Sequence, residues 1–149
     1  MRVLIQRVLE ASVKIEGVET SNIKKGLLVF VGIENEDTDK DIAYLSKKIT
    51  NLRIFDDSKG VMNDSVVQAK GEIMVISQFT LHADTRKGNR PSYIKAAKPE
   101  VSIPLYEKFC NQLQIDSGMD IKTGEFGADM KVSLINDGPV TIWIDSKMK

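Results

Sequence analysis

The sequence feature that most constrains the fold is the apolar run LLVFV at residues 27–31. A strand with one face in solvent alternates apolar and polar residues, whereas an unbroken run predicts a strand covered on both faces. A helix is predicted soon after it, with Thr38 as the N-cap and Asp41 three residues on. The apolar stripe of this helix consists of Ile42, Leu45, Ile49 and Leu52. The chain therefore combines a buried strand with a helix that can pack on it.

Other segments extend this α/β pattern. Strands are predicted around a turn at Glu16-Gly17, before a turn at residues 56–60, in the run EIMVI at residues 72–76, and in the closing segment from Met119 to Asp145. A second helix carries Leu105, Phe109 and Leu113, with Pro99 and Pro104 near its start. The predicted order is β-β-β-α-β-β-α-β-β-β, with helices packed on one or two sheets.

Length and charge limit the broad class of protein. The chain has 149 residues, which predicts a single domain over residues 1–149. Its 21 basic and 21 acidic side chains give no net field that would mark a polyanion partner. The start is too charged for a signal peptide, and no apolar run approaches the ~20 residues of a membrane span. We therefore expect a cytoplasmic protein without a membrane partner.

The residues that most often bind cofactors or metals do not form a recognisable site. No Cys/His cluster has zinc spacing, no acidic run matches a calcium loop, and no Gly-rich phosphate loop is present, so the sequence predicts no metal and no cofactor. The one cysteine, Cys110, lies among apolar residues and is expected to be a buried thiol. The one histidine, His82, has no Ser or Cys partner motif and is expected to be a loop histidine rather than a general base.

A basic segment at residues 82–98 has no clear periodicity and is predicted to be a long loop. It contains Tyr93 and one acidic residue, Asp84, and its cations are Arg86, Lys87, Arg90, Lys95 and Lys98. A solvated loop explains this composition, and so does a rim that binds the phosphates of a nucleic acid. The residues alone leave both interpretations open.

The polar stretch SQFT at residues 77–80 ends an apolar strand, a common place for a site. It offers two hydroxyls and an amide, but no base that would activate a nucleophile is visible at short range. Backbone N–H groups at the strand end could form an oxyanion hole without a special side chain. Spacing alone favours an ordinary strand terminus.

A second short stretch, Gly138-Pro139, lies between two β-branched runs. This pattern predicts the corner of a hairpin. It also predicts a trans proline, because only about 5–6% of X–Pro bonds are cis.

Several segments in order resemble the D-aminoacyl-tRNA deacylases: IQRV, GLLVFVGIE, RIF, GEIMVISQFTLHADTRKGNRPSY and FGADMKVSLINDGPVTIWID. The resemblance covers essentially the whole chain, and SQFTL together with NDGPVT is far more specific than either motif alone. It implies a compact single α/β domain with mixed, mainly antiparallel β-sheets and two principal helices packed on them. It also implies a homodimer that hydrolyses the ester joining a D-amino acid, or glycine mischarged on alanine tRNA, to the 3′-terminal adenosine.

The resemblance further implies roles for individual residues. The Gly138-Pro139 bond is expected to be cis and to reach into the active site of the other subunit, where it rejects L substrates, while Arg7 holds this element in place. The expected sets are Ser77, Gln78, Phe79 and Thr80 for catalysis, Arg7, Gly138, Pro139 and Val140 for substrate binding, and Arg86, Lys87, Arg90 and Lys95 for tRNA binding.

Two questions stay open from the sequence. The preferred mechanism is attack by water, with the backbone N–H groups of Phe79 and its neighbours stabilising the oxyanion and the 2′-hydroxyl of the terminal ribose assisting proton transfer. The rival mechanism makes Thr80 a nucleophile. An alternative from another class is a non-enzymatic nucleic-acid-binding module that uses the basic loop at residues 82–98.

Overall fold

The computed structural model describes residues 1–148. Its strands and helices are β1 (Arg2–Ile15), β2 (Val18–Ile23), β3 (Gly26–Gly32), α1 (Asp39–Asn51), β4 (Phe55–Asp56), β5 (Met62–Asp64), β6 (Glu72–Ser77), a 3₁₀ helix (Phe79–His82), α2 (Pro99–Ser117), β7 (Ile121–Thr123) and β8 (Met130–Asp145). The α/β class with two principal helices is confirmed. The order differs from the predicted one, because β4 and β5 form a separate small hairpin and the closing segment contains two strands rather than three.

Within residues 1–148, six strands form one mixed sheet. Strand β1 pairs antiparallel with β2, β3 and β8, while β3, β6 and β7 are parallel neighbours. Strand β8 follows β1 along nearly its whole length, from Arg2 opposite Asp145 to Ile15 opposite Met130. The sheet is therefore mainly antiparallel around β1, and its parallel part ends at Ser77.

Strand β3 is covered on both faces, as its apolar run predicts. Leu27, Val29 and Val31 contribute to a buried cluster that also contains residues of both helices. Leu28 belongs to a second cluster on the other face, which also contains Val13 near the end of β1 and Ile23 at the end of β2. Because apolar burial contributes about 25 cal/mol per Å², these two clusters hold the layers together.

Helix α1 begins as its sequence predicts. The Asp41 carboxylate accepts hydrogen bonds from the backbone N–H of Thr38 at 2.8 Å and from its hydroxyl at 3.0 Å. Its apolar stripe faces the sheet, with Ile42, Leu45 and Ile49 buried. The Asp41 carboxylate thus satisfies the N-cap backbone N–H, which is one half of a capping box and fixes the first turn of the helix.

The prediction of a hairpin corner at Gly138-Pro139 is wrong. Both halves of β8 pair with the same strand, β1, so the chain does not reverse. Val8 lies opposite Asn136 and Gln6 opposite Thr141, which leaves residues 137–140 facing Arg7 alone. The segment is a large bulge in one continuous strand. The peptide bond between Gly138 and Pro139 is cis, so the trans proline expected from the local pattern is wrong as well.

The sequence predicts that Cys110 is a buried thiol and that no segment spans a membrane. The Cys110 side chain is half-buried on α2, and burial raises the pKa of its thiol to about 11. The thiol is therefore neutral near pH 7. Among the described residues, no helix is long and apolar enough to cross a membrane.

Candidate active site

The SQFT stretch is the point where a parallel strand turns into a 3₁₀ helix. Strand β6 ends at Ser77, and the N–H of Gln78 donates to the carbonyl of Val31 at 2.7 Å, which extends the pairing with β3 by one residue. The Gln78 side-chain amide donates to the Thr80 hydroxyl at 2.5 Å. Phe79 and Thr80 begin the helix, so their N–H groups have no acceptor within it. These two donors can bind an oxygen of a ligand.

Gly32 allows the 3₁₀ helix to lie directly on the end of β3. A Cβ atom at Gly32 would be 3.0 Å from the Gln78 carbonyl oxygen, 3.0 Å from the Leu81 Cβ and 3.0 Å from the His82 ring. Any larger residue would displace the helix. The position of the Phe79 and Thr80 donors thus depends on a glycine in the neighbouring strand.

A cavity of ≈ 570 Å³ opens beside this turn. Phe79 and Tyr93 lie on its lining with their rings edge to face, 5.1 Å between centroids. The rest of the lining is mostly apolar, with Ser77 and Gln78 among its polar members. An apolar cavity with a few polar groups at one place is typical of a site for a small molecule or for one end of a larger one.

The segment from Phe126 to Met130 forms another part of the cavity lining. From the sequence this segment is only a bend, and Gly127 does adopt a positive φ of 79° there. A Cβ atom at Gly124 would be 2.4 Å from the Met130 sulfur, so this glycine makes room for a side chain of the lining. In the sequence, the two closely spaced glycines Gly124 and Gly127 were the feature that could have indicated a tight bend at a site.

His82 is not the loop histidine that the sequence predicts. It is the last residue of the 3₁₀ helix, with 1% of its surface exposed, and neither ring nitrogen makes a hydrogen bond among residues 1–148. Burial lowers the pKa of the imidazole, so the ring is neutral near pH 7. It is absent from the cavity lining, and its contact with the end of β3 makes it a packing residue.

The basic loop folds back on itself through one bridge, between Asp84 and Ser92. The Arg86 guanidinium donates to the Asp84 carboxylate, with 2.9 Å between Nε and Oδ1, and holds the pKa of that carboxyl well below its usual range. Lys87, Arg90 and Lys95 are exposed, and within the described part of the chain they form no ion pair. The loop therefore presents free cations beside one neutralised pair.

Lys98 is the one cation of this segment that reaches the cavity lining. It is the N-cap residue of α2, directly before Pro99. Arg86, Lys87, Arg90 and Lys95, the four residues expected to bind tRNA, do not line the cavity. Lys98 was missing from that expected set, and the two prolines, Pro99 and Pro104, had left the start of this helix undefined in the sequence.

Arg7 binds the bulge of β8 to the rest of the fold. Its side chain is buried, with 7% exposed, and its Nη1 donates to the carbonyl of Ile54 at 2.6 Å. Its Nε lies 3.2 Å from both the carbonyl and the carboxylate of Asp137. Arg7 therefore holds the first residue of the bulge against the segment before β4.

Gly138 fits its place in the bulge only without a side chain. Its φ of 127° is a conformation that L residues rarely adopt. A Cβ atom there would lie 2.9 Å from the Val140 Cγ2 and 3.2 Å from the Arg7 Nη2. The fold thus brings together Arg7, Gly138 and Val140. It does not bring them to the cavity of the same chain, whose lining includes none of them.

Fold and site together define a class: α/β domains in which a parallel strand, here β6, ends in a polar turn beside an apolar cavity, a common place for an active site. Residues 4–145 match the family model described as D-Tyr-tRNA(Tyr) deacylase, and the chain belongs to this family. Family membership confirms the resemblance that SQFTL and NDGPVT indicate, and with it the assignment of the chain as a hydrolase.

Relatives of high identity span the whole chain. A protein of Bacteroides fragilis named D-aminoacyl-tRNA deacylase is 66% identical over 149 residues, which cover 100% of this chain and 99% of the relative. A protein of Flavobacterium johnsoniae with the same name is 62% identical over 147 residues, covering 99% of this chain and 98% of the relative.

Two solved structures are also similar. One is described as c-Myc DNA Unwinding Element Binding Protein and has 40% identity and a TM-score of 0.91, covering 97% of this chain and 98% of that one. Another, described as a probable eukaryotic D-amino acid tRNA deacylase, has 16% identity and a TM-score of 0.82, covering 96% of this chain and 97% of that one. The second likeness concerns the fold alone.

Proposed function

We propose that this protein hydrolyses the ester bond of D-aminoacyl-tRNA, and of glycine mischarged on alanine tRNA, releasing the free amino acid and the tRNA. The observation that carries the proposal is the turn at Ser77–Thr80, of which Ser77, Gln78 and Phe79 line a cavity in a member of the deacylase family. Such a protein would act on newly charged tRNA, which is consistent with a cytoplasmic location. The proposed reaction uses no cofactor.

The proposed mechanism is direct attack by water on the ester carbonyl. The N–H groups of Phe79 and Thr80 stabilise the tetrahedral oxyanion, and the bond from the carbonyl carbon to the ribose 3′-oxygen then breaks. The 2′-hydroxyl of the same ribose passes the proton of the attacking water to the departing 3′-oxygen. Ser77 and Gln78 position the adenosine or the amino group.

The surroundings of Thr80 support water rather than its hydroxyl as the nucleophile. A hydroxyl nucleophile has to give its proton to a base. The Thr80 hydroxyl accepts a hydrogen bond from the Gln78 side-chain amide, and this NH₂ group cannot accept the proton of the hydroxyl. Thr80 and the buried His82 are both absent from the cavity lining, so neither the hydroxyl nor an imidazole base is placed there.

We propose that selectivity comes from a second copy of the chain. Gly138, Pro139 and Val140 lie outside the cavity of their own chain, so a role in the site requires the bulge of another subunit. The exposed faces of β8 support such an interface, since Ile135 and Trp143 are each nearly half exposed. Phe79, at the cavity, is 56% exposed and is similarly free to be covered.

If backbone atoms of this bulge occupy the space into which an L side chain projects, they form a steric wall that rejects L substrates by clash. This form of discrimination is stronger than the loss of a small attractive contact, which is worth about 1–3 kcal/mol. Glycine carries no side chain and would pass the same wall. The bulge suits this role because Gly138 lets its backbone approach a ligand closely.

The proposed tRNA contact lies next to the cavity. Lys87, Arg90 and Lys95 are exposed cations that can neutralise phosphates of the acceptor end, and Lys98 brings a charge to the cavity itself. The Arg86 charge is already neutralised by Asp84.

Nucleic-acid binding without hydrolysis is a second candidate function. It is favoured by the 40% identical structure described as a DNA unwinding element binding protein, and by the exposed cations of the loop. This function would use the same loop and leave the SQFT turn without a chemical role.

The test is to incubate the protein with D-Tyr-tRNA, L-Tyr-tRNA and Gly-tRNA(Ala) and to follow release of the amino acid. We expect release from the D-aminoacyl and glycyl substrates, with L-Tyr-tRNA left intact. Release of both D- and L-tyrosine would describe a general esterase, and release of neither, with tRNA still bound, would describe a binding module. Either of these results would overturn the proposal.

A further inference from the structure

The bulge in β8 interrupts the pairing with β1 for four residues. Residues 137–140 face Arg7 alone, and regular pairing resumes only where Thr141 lies opposite Gln6. A bulge of this size leaves backbone groups without ladder partners. Arg7 holds one end of it through Asp137, so the opposite end needs a separate anchor.

That anchor is the side chain of Asn136, the residue just before the bulge. Its Oδ1 accepts a hydrogen bond from the N–H of Val140 at 3.1 Å, and its Nδ2 donates to the Thr141 hydroxyl oxygen at 2.9 Å. The Asn136 side chain thus connects the residue before the bulge to Val140, the last residue of the bulge, and to Thr141, which follows it. The amide is suited to this double contact because it carries both an acceptor and a donor.

Thr141 connects this anchor to the neighbouring strand. Its hydroxyl oxygen also accepts from the Gln6 amide at 3.3 Å. Gln6 directly precedes Arg7 in β1, so the two anchors of the bulge start from adjacent residues of one strand. Between them, Gly138 and Pro139 are exposed, and no side chain among residues 1–148 forms a hydrogen bond with either of them.

We propose that Asn136 is a positioning residue that sets the selectivity for D over L substrates by fixing the far end of the Gly138-Pro139 segment. The inference rests on the proposed function of that segment. A steric wall excludes a side chain only when it does not yield, and freeing one end of the segment lets it yield. Asn136 therefore affects which substrate is refused more than whether the protein folds.

The test compares variants by their rates on D-Tyr-tRNA and L-Tyr-tRNA. Asn136→Leu removes both hydrogen bonds at similar volume, and we expect the ratio of D to L hydrolysis to fall about tenfold or more. Asn136→Asp still accepts from the Val140 N–H and can accept from the Thr141 hydroxyl, so we expect it to restore most of the ratio. Asn22→Leu is the control, because Asn22 is an exposed residue of β2 whose side-chain amide donates to the Glu19 carboxylate and, within the described part of the chain, to no other group.

A purely structural role gives a different result. If Asn136→Leu lowers both rates in parallel, or leaves the ratio unchanged in a folded protein, the inference is wrong. Should that variant fail to fold, Asn136→Ala is measured with the same expectation. Gly138→Ala in the same assay separates the two proposals: no change in either rate there would overturn the role of the segment, and Asn136 with it. A changed ratio in Gly138→Ala combined with an unchanged ratio in Asn136→Leu would overturn the Asn136 inference alone.

Discussion

At the scale of single residues, the site relies on backbone groups more than on reactive side chains. The two donors proposed for the oxyanion are the N–H groups of Phe79 and Thr80. The side chains nearby mainly fix this backbone, as with the Gln78 amide bound to the Thr80 hydroxyl. This arrangement is sufficient because the ester of an aminoacyl-tRNA is already activated, so stabilising the oxyanion supplies much of what is required.

Thr80→Ala tests this view of the chemistry. If water is the nucleophile, the variant loses only the hydrogen bond with Gln78, and turnover of D-Tyr-tRNA should stay within about tenfold. The measurement is single-turnover hydrolysis, with a search for an acyl-enzyme in the unaltered protein after acid quenching. Thr20→Ala is a control, since that hydroxyl bonds only to the Val13 carbonyl of the neighbouring strand. A trapped ester on Thr80, or loss of all turnover, would contradict the water mechanism.

Some residue-level properties were visible in the sequence and others were not. The end of an apolar strand at Ser77 predicted the place of the turn. The burial of His82 could not be predicted, because it depends on Gly32 in a strand fifty residues away in sequence. The bulge at Gly138 was also out of reach, since a bulge and a hairpin corner share turn residues between β-branched runs. Only the pairing of both halves with β1 distinguishes them.

At the scale of elements, the basic loop is the part most exposed to a charged partner. The loop predicted at residues 82–98 is confirmed from residue 83 onward, where the sequence has neither helical nor strand periodicity, whereas His82 belongs to the 3₁₀ helix. The pairing of Arg86 with Asp84 was not predicted, since the order of charges does not show which of them are neutralised. The structure therefore shows that Arg86 is paired with an acid, whereas the order of charges in the sequence does not distinguish it from the other cations of the loop.

The salt dependence of tRNA binding should distinguish the unpaired cations of the loop from the Arg86–Asp84 pair. Binding of tRNA should weaken as salt rises, and Lys87→Ala and Arg90→Ala should each reduce the slope of log K against log salt by about 0.7–0.9. Removing Asp84 and Arg86 together, as Asp84→Ala with Arg86→Ala, should leave the slope nearly unchanged, because the pair carries no net charge. Filter binding across a salt series measures both, with Lys47→Ala on α1 as a distant control. A salt-independent affinity would contradict tRNA contact by this loop.

At the scale of the whole molecule, the proposed site is complete only if two chains associate. The cavity and the Gly138-Pro139 bulge belong to the same chain but do not meet within it. The α/β class followed from the sequence, because the run at residues 27–31 and the stripe of α1 require packed layers. A second chain at the site is implied by the family resemblance and is not predicted by residue patterns, since exposed apolar residues such as Trp143 are common on protein surfaces.

Dilution tests the need for a second chain. If each site requires the bulge of a partner, specific activity on D-Tyr-tRNA should fall as the protein is diluted below its dimer dissociation constant. Sedimentation at the same concentrations should show the loss of dimer in parallel, and added albumin controls for adsorption to surfaces. A monomer with full activity and full D selectivity would exclude the proposed exchange between subunits.

Strand β1 has a consequence for how this sequence can vary in length. Its first half pairs on one side with β3, which positions the 3₁₀ helix through Val31, and on the other side with the bulged strand β8. Because side chains alternate along a strand, inserting or deleting one residue between Leu4 and Arg7 would turn Arg7 to the opposite face and shift both pairings at once. Evolutionary insertions and deletions should therefore be confined to surface turns such as residues 57–60, where a change of length leaves the spacing between the 3₁₀ helix and the bulge of β8 intact.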